Sequence, residues 1–116
     1  MKPPIIIFGA ARSGTTLLHR LLAEHAQTAW LTRLCDQFPA QPSINRFYHH
    51  VIDWPLVGAP VRRKAVPSEA YLFWEHHAAG FRRPPHDLRA EDFSAEHQHL
   101  PSVLGKMLTH RRNRLV

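Results

Sequence analysis

The first twenty residues contain the pattern that most constrains the fold. Residues 5–20 read IIIFGAARSGTTLLHR, in which an apolar run is followed by a loop of small residues and then by regularly spaced leucines. The run over residues 5–8 shows no alternation of polar and apolar side chains, which predicts a strand buried on both faces of a parallel sheet. We therefore expect an α/β fold, with a strand, a loop and a helix in succession over residues 5–25.

The loop between this strand and this helix has the composition of a phosphate-binding cradle. Gly9 and Gly14 allow backbone angles or close approaches that a Cβ atom would block. The predicted helix N-terminus adds unpaired N–H groups and the positive end of a dipole. A guanidinium can hold two phosphate oxygens at once, and hydroxyl groups can donate to others. The predicted anion ligands are consecutive in the chain: Arg12, Ser13, Gly14, Thr15 and Thr16.

Residue 15 decides which phosphate compound the loop suits. Residues 9–16 fit the nucleotide-binding pattern G-x-x-x-x-G-K-[ST] except that Thr15 occupies the lysine position. In nucleoside triphosphatases that lysine reaches the β- and γ-phosphates, and the following hydroxyl binds magnesium. A threonine at this position favours a shorter anion that is bound without a metal.

The segment RSGTTLL over residues 12–18 resembles the 5′-phosphosulfate-binding loop of sulfotransferases that use PAPS, 3′-phosphoadenosine 5′-phosphosulfate. The resemblance implies a P-loop-like parallel sheet flanked by helices, in a domain rich in helix. It also implies that a sulfuryl group passes from PAPS to a hydroxyl or amine. Arg12 and the loop backbone would stabilise the charge that builds on the bridging oxygen. The acceptor class stays open among small molecules, glycans and peptides.

The resemblance implies a domain about twice as long as this chain or more. The family grips the 3′-phosphate with an arginine–aspartate pair followed by a serine, and no such element occurs here. We therefore expect residues 1–116 to be the amino-terminal part of a single sulfotransferase-like domain. Leu115 and Val116 are expected to open a further strand.

Transfer to an acceptor also requires a general base. Glu69 is our candidate, because the stretch PSEAYLFWEHH over residues 67–77 resembles a proline–glutamate element on the acceptor side of some bacterial family members. Alternatively, Glu69 caps the helix predicted over residues 69–80, since a negative charge is favoured at a helix N-terminus. Further candidates for the base are Glu75, His76 and His77.

The rest of the chain predicts fewer regular elements. Trp30, Leu31 and Leu34 indicate a short second strand. The prolines at positions 39, 42, 55 and 60 break residues 37–67 into short pieces, which predicts mostly connecting segments. Apolar spacing predicts a third helix over residues 100–108.

Composition and charge exclude several other classes. No apolar run approaches the roughly 20 residues that span a bilayer, and residues 5–8 are too few for a signal-peptide core. Cys35 is the single cysteine, which fits the reducing cytoplasm, where we expect the protein. The ten histidines do not follow zinc-site spacing, so we expect no metal. The net charge is +6, but no nucleic-acid motif accompanies the basic clusters, which we interpret as solvated faces.

Two other functions compete with sulfuryl transfer. A P-loop kinase-like phosphotransferase would use the same loop with ATP and magnesium, but it needs a lysine near position 15. A non-catalytic remnant would bind phosphate and transfer nothing. The oligomeric state cannot be predicted from these residues.

Overall fold

The computed structural model describes residues 1–10, 12–64, 66–82, 89 and 95–116. The helices in these ranges are α1 (Thr15–Ala23), α2 (Arg33–Gln37), α3 (Ser43–Ile52), α4 (Gly58–Lys64), α5 (Tyr71–His77) and α6 (Leu100–Lys106). A 3₁₀ helix, Ala95–His99, leads into α6, and the strands are β1 (Thr28–Ala29) and β2 (Arg114–Leu115). No described helix combines the length and the apolar character that crossing a membrane would require.

The two strands form a small parallel sheet in which Thr28 pairs with Arg114 and Ala29 with Leu115. The N-terminal segment runs along the other side of β2, because the Ile5 N–H donates to the Leu115 carbonyl at 2.8 Å. The prediction that the end of the chain forms a strand is confirmed. The structure is thus rich in helix around a parallel sheet, as the predicted class requires, but the sheet is small.

The prediction of a regular strand buried on both faces over residues 5–8 is wrong. Residues 5–8 lie outside any regular strand, and the side chains of Ile6 and Phe8 are 68% and 88% exposed. The leucine stripe of α1 is also exposed at Leu17, Leu18 and Leu21. The reason is packing, since no element in the described part of the chain covers this apolar side of the segment and the helix.

Two more expectations need correction. The second strand lies at residues 28–29, ahead of the predicted positions, and Leu34 belongs to α2. Residues 37–67, predicted as connection, contain α3 and α4. The prolines did not break these helices because Pro42 is the N-cap residue of α3 and Pro60 lies in the first turn of α4. A missing N–H costs nothing at these positions.

Helix α3 is held against the segment that follows β1 by two buried polar side chains. The Asn45 side chain accepts from the Thr32 N–H at 3.0 Å and donates to the Trp30 carbonyl at 3.0 Å. The His49 Nε2 lies 3.1 Å from the same Trp30 oxygen. Asn45 thereby satisfies backbone groups beyond the end of β1 that would otherwise be buried without a partner.

The segment ahead of α5 is positioned by the chain that follows β1. Thr32 and Pro67 form an antiparallel bridge, and the Ser68 N–H donates to the Leu31 carbonyl at 2.9 Å. This segment leads into a core cluster that joins α2 and α5 to the end of α6. The buried residues of the cluster are Leu31, Cys35, Ala70, Phe73 and Met107. This packing sets the position of Glu69, which directly precedes the core residue Ala70.

Candidate functional site

The predicted phosphate loop turns through two residues with positive φ. Arg12 has φ 61° and Gly14 has φ 88°, a region of backbone space that suits glycine and strains other residues. Gly14 is the N-cap of α1, and no side chain caps this helix end. The first N–H groups of α1 are therefore available to an anion. Ala11 lies outside the described residues.

Gly9 allows the Ser13 and Thr15 side chains to lie close to the loop backbone. A Cβ atom on Gly9 would lie 2.4 Å from the Ser13 Oγ and 2.5 Å from the Thr15 Cγ2. Such distances are far below van der Waals contact, so any side chain here would require the Ser13 and Thr15 side chains to move. The two glycines thus do different work, since Gly14 supplies a backbone angle and Gly9 supplies space.

A cavity of about 390 Å³ opens between the first turns of α1 and the segment ahead of α5. Its polar lining comes from Thr15, Thr16 and His19 of α1, together with Glu69 and Tyr71. Its apolar lining is formed by Ile7, Pro67, Trp74 and Phe81. The cavity therefore joins part of the predicted anion loop to the predicted base.

Glu69 lies outside α5, and another carboxylate caps that helix. The Asp36 Oδ1 accepts from the N–H of Leu72 at 2.7 Å and of Phe73 at 3.3 Å. The exposed Glu69 instead accepts a hydrogen bond from the Tyr71 hydroxyl. This hydrogen bond raises the pKa of Tyr71, with smaller contributions from burial and from the charge of Glu69. Asp36 fills the capping role predicted for Glu69.

His19 is a cavity residue that the sequence interpretation missed. Burial lowers the pKa of its imidazole, whereas a hydrogen bond to the backbone of Val116 and the nearby charge of Glu69 raise it. Its Nε2 is enclosed and has no hydrogen-bond partner among the described residues. The signal was its spacing, because a residue four positions after Thr15 lies on the same face of a helix.

The other candidates lie apart from this cavity. Arg12 and Ser13 are exposed on the loop and do not line it. Glu75, His76 and His77 follow on α5 and do not line it either. The His77 Nε2 lies 2.6 Å from the Pro39 carbonyl, and burial lowers the pKa of this histidine despite that contact. Among the described residues, no three potential ligands are grouped to hold a metal ion.

Comparison with known proteins identifies the family. A family model described as the sulfotransferase family matches residues 3–113, nearly the whole chain. No curated protein gives a significant match, and no solved structure does. The match includes the glycine loop, α1, the segment that carries Glu69 and all of the residues that line the cavity. The chain therefore belongs to the sulfotransferase family.

Proposed function

We propose that this protein transfers a sulfuryl group from PAPS to a hydroxyl or amine, with the reaction centred on the cavity between α1 and Glu69. Family membership supports sulfuryl transfer in general. The observation that carries the finer proposal is the shared cavity, which brings Thr15 and Thr16 together with Glu69. Residues 1–116 would then form part of a single sulfotransferase-like domain. A cytoplasmic location stays a prediction.

The loop fits the 5′-phosphosulfate end of PAPS on three counts. Gly9 lets two of the proposed ligands, Ser13 and Thr15, approach the loop backbone closely, and the N-terminus of α1 has no side-chain cap. Arg12 is exposed beside them, with no hydrogen bond or ion pair to any described residue. Arg12, Ser13, Gly14, Thr15 and Thr16 would hold the anion. PAPS, when bound, supplies the sulfuryl group that the acceptor attacks.

Glu69 is proposed to remove the acceptor's proton. Its carboxylate is not engaged in capping, because Asp36 does that, and it lines the same cavity as the hydroxyls of α1. The Tyr71 hydroxyl would orient the carboxylate by donating to it. A positioned base of this kind typically contributes about 10²- to 10⁴-fold to the rate.

Calorimetry with 3′,5′-bisphosphoadenosine tests the binding part of the proposal. We expect binding without metal, and at least a tenfold loss of affinity in Arg12→Ala, because a charge-assisted contact to phosphate is removed. Arg33→Ala, an exposed arginine on α2, is the matched control and should bind normally. Tight binding of ATP with magnesium in place of the bisphosphate would favour the kinase-like alternative.

Product formation tests the role of Glu69. With PAPS and a panel of hydroxyl and amine acceptors, Glu69→Gln should bind 3′,5′-bisphosphoadenosine normally but lose at least about 100-fold in turnover. Full activity in Glu69→Gln would remove Glu69 as the base. Binding without transfer by the native chain to any acceptor would support the non-catalytic alternative.

A further inference from the structure

A second cavity, of about 230 Å³, lies farther along α1 and is strongly basic. Its charged lining consists of Arg20 of α1, Glu24 directly after that helix, and Arg62 and Arg63 of α4. The side of Trp30, Ala23, Val66 and Pro67 completes the wall. Three guanidinium groups therefore border a space with one carboxylate.

The one carboxylate in this lining, that of Glu24, is already paired with Arg62. The Arg62 Nη2 lies 3.1 Å from the Glu24 carboxylate and 2.5 Å from the Glu24 backbone carbonyl. The side chains of Arg20 and Arg63 have no hydrogen bond or ion pair to any described residue. Two exposed positive charges at one cavity thus have no ion-pair partner in the described part of the chain, and both would attract a bound anion.

Two buried donors on residues that line this cavity also lack partners. The Arg62 Nε and the Trp30 indole Nε1 are enclosed, and neither forms a hydrogen bond within the described part of the chain. Enclosed donors of this kind are uncommon, because an unpaired buried N–H loses its hydration without replacement. Their presence where Arg20 and Arg63 are uncompensated distinguishes this cavity from an ordinary basic surface.

The second cavity adjoins the first. Pro67 lines both, and the consecutive residues His19 and Arg20 line one each. From Thr15 to Arg20 the helix rises about 7.5 Å. The basic cavity is therefore at the far end of α1 from the anion loop, and a molecule whose hydroxyl lies at Glu69 could reach it.

We propose that the cavity of Arg20, Arg62 and Arg63 is an anion subsite that binds an acidic group carried by the acceptor. The acceptor class is thereby narrowed to hydroxyl or amine compounds that bear a carboxylate, sulfate or phosphate several ångströms from the attacking atom. This assignment of the ligand to the acceptor rests on the sulfuryl-transfer function proposed above. A guanidinium pair suits such a group, because each can donate two parallel hydrogen bonds to it.

The test uses nitrogen–proton correlation spectra of the whole chain, in which the Trp30 indole and Arg62 Nε groups report directly. The probes are 4-hydroxyphenylacetate and its neutral counterpart 4-hydroxyphenylacetamide, which differ in charge but hardly in shape. Trp30→Phe assigns the indole signal against those of Trp54 and Trp74. We expect the carboxylate to shift the Trp30 and Arg62 signals and the amide to leave them in place.

Variants then locate the anion. Arg20→Gln with Arg63→Gln should weaken the carboxylate at least about tenfold, since charge-assisted hydrogen bonds are lost. Arg46→Gln, an exposed arginine on α3 outside the cavity, is the control and should bind normally. Equal shifts from both probes, or unchanged affinity in the double variant, would overturn the inference.

Titration with 3′,5′-bisphosphoadenosine separates this inference from the proposed function. If the bisphosphate binds at the Gly14 and Thr15 amides but the carboxylate probe does not bind, the anion subsite fails and the proposed function stands. If the bisphosphate does not bind and the carboxylate still shifts Trp30, the proposed function fails and the anion cavity stands. Shifts of Trp30 by the bisphosphate itself would assign the anion to the donor and overturn the acceptor assignment.

Discussion

The buried guanidinium of Arg112 is paired with the carboxylate of Asp53, 59 positions earlier in the chain. The Arg112 Nε lies 3.0 and 3.1 Å from the two Asp53 oxygens, and its Nη2 lies 2.8 Å from Oδ1. The same side chain donates to the Thr28 carbonyl at 2.8 Å and stacks over the Trp30 ring. One residue thus joins the end of α3, β1 and the chain that enters β2.

Replacement of Arg112 should therefore destabilise the fold more than any exposed arginine does. We expect Arg112→Met to lower the free energy of unfolding by about 3 kcal/mol, because a largely buried charge pair loses one partner. Arg111→Met, the exposed neighbour, should change it by less than about 0.5 kcal/mol. Urea denaturation measures both, and equal stabilities for the two variants would refute this account.

We expect Asn45 to contribute to stability, because its side chain makes the hydrogen bonds to Thr32 and Trp30 that a neighbouring strand would otherwise make. Asn45→Ala leaves the Thr32 N–H and the Trp30 carbonyl buried without these partners. The expected loss is about 2–3 kcal/mol in the free energy of unfolding, from two buried backbone groups. Arg46→Ala on the exposed side of α3 is the matched control. A loss below about 0.5 kcal/mol in Asn45→Ala would contradict the role.

His49 should make stability depend on pH. Burial lowers its pKa from 6.5 to about 4, an effect to which the charge of Arg112 adds and which the hydrogen bond to Trp30 opposes. Between these pH values the unfolded chain binds a proton that the folded chain does not. The free energy of unfolding should therefore fall as the pH drops from about 6.5 to about 4, by an amount on the order of 3 kcal/mol.

Denaturation across this pH range checks the assignment. His49→Gln should reduce the slope, whereas His50→Gln, at the exposed adjacent position, should keep it. Some slope should persist in both variants, because burial also lowers the pKa of His19 and of His77. The prediction fails if the His49→Gln profile runs parallel to that of the native protein.

Substitutions of Asp36 and Glu69 should distinguish the residue that caps α5 from the proposed general base. Asp36→Ala removes the acceptor for the Leu72 and Phe73 N–H groups and should cost about 1 kcal/mol of stability. Glu69→Ala should cost less than about 0.5 kcal/mol, since its carboxylate accepts from Tyr71 and caps nothing. Thermal unfolding compares the two variants, and a larger loss in Glu69→Ala would return the capping role to Glu69.

The sequence predicted those elements that depend on the spacing of residues close together in the chain. The loop residues followed from the spacing of Gly9 and Gly14, and α1 followed from its leucines. The helices near residues 71 and 100 followed from apolar periodicity. The helices α3 and α4 did not, because Pro42 and Pro60 predict breaks in the chain, although both lie where a helix tolerates proline.

By itself the sequence determined the family and the candidate anion loop, because both depend on residues that are contiguous in the chain. Only the tertiary structure decided that Asp36 rather than Glu69 caps α5. It also decided that His19 shares a cavity with Glu69 and that Arg20 shares another with the arginines of α4. These partners are far apart in sequence. Their proximity depends on how the helices pack on the sheet, and no local pattern encodes that packing.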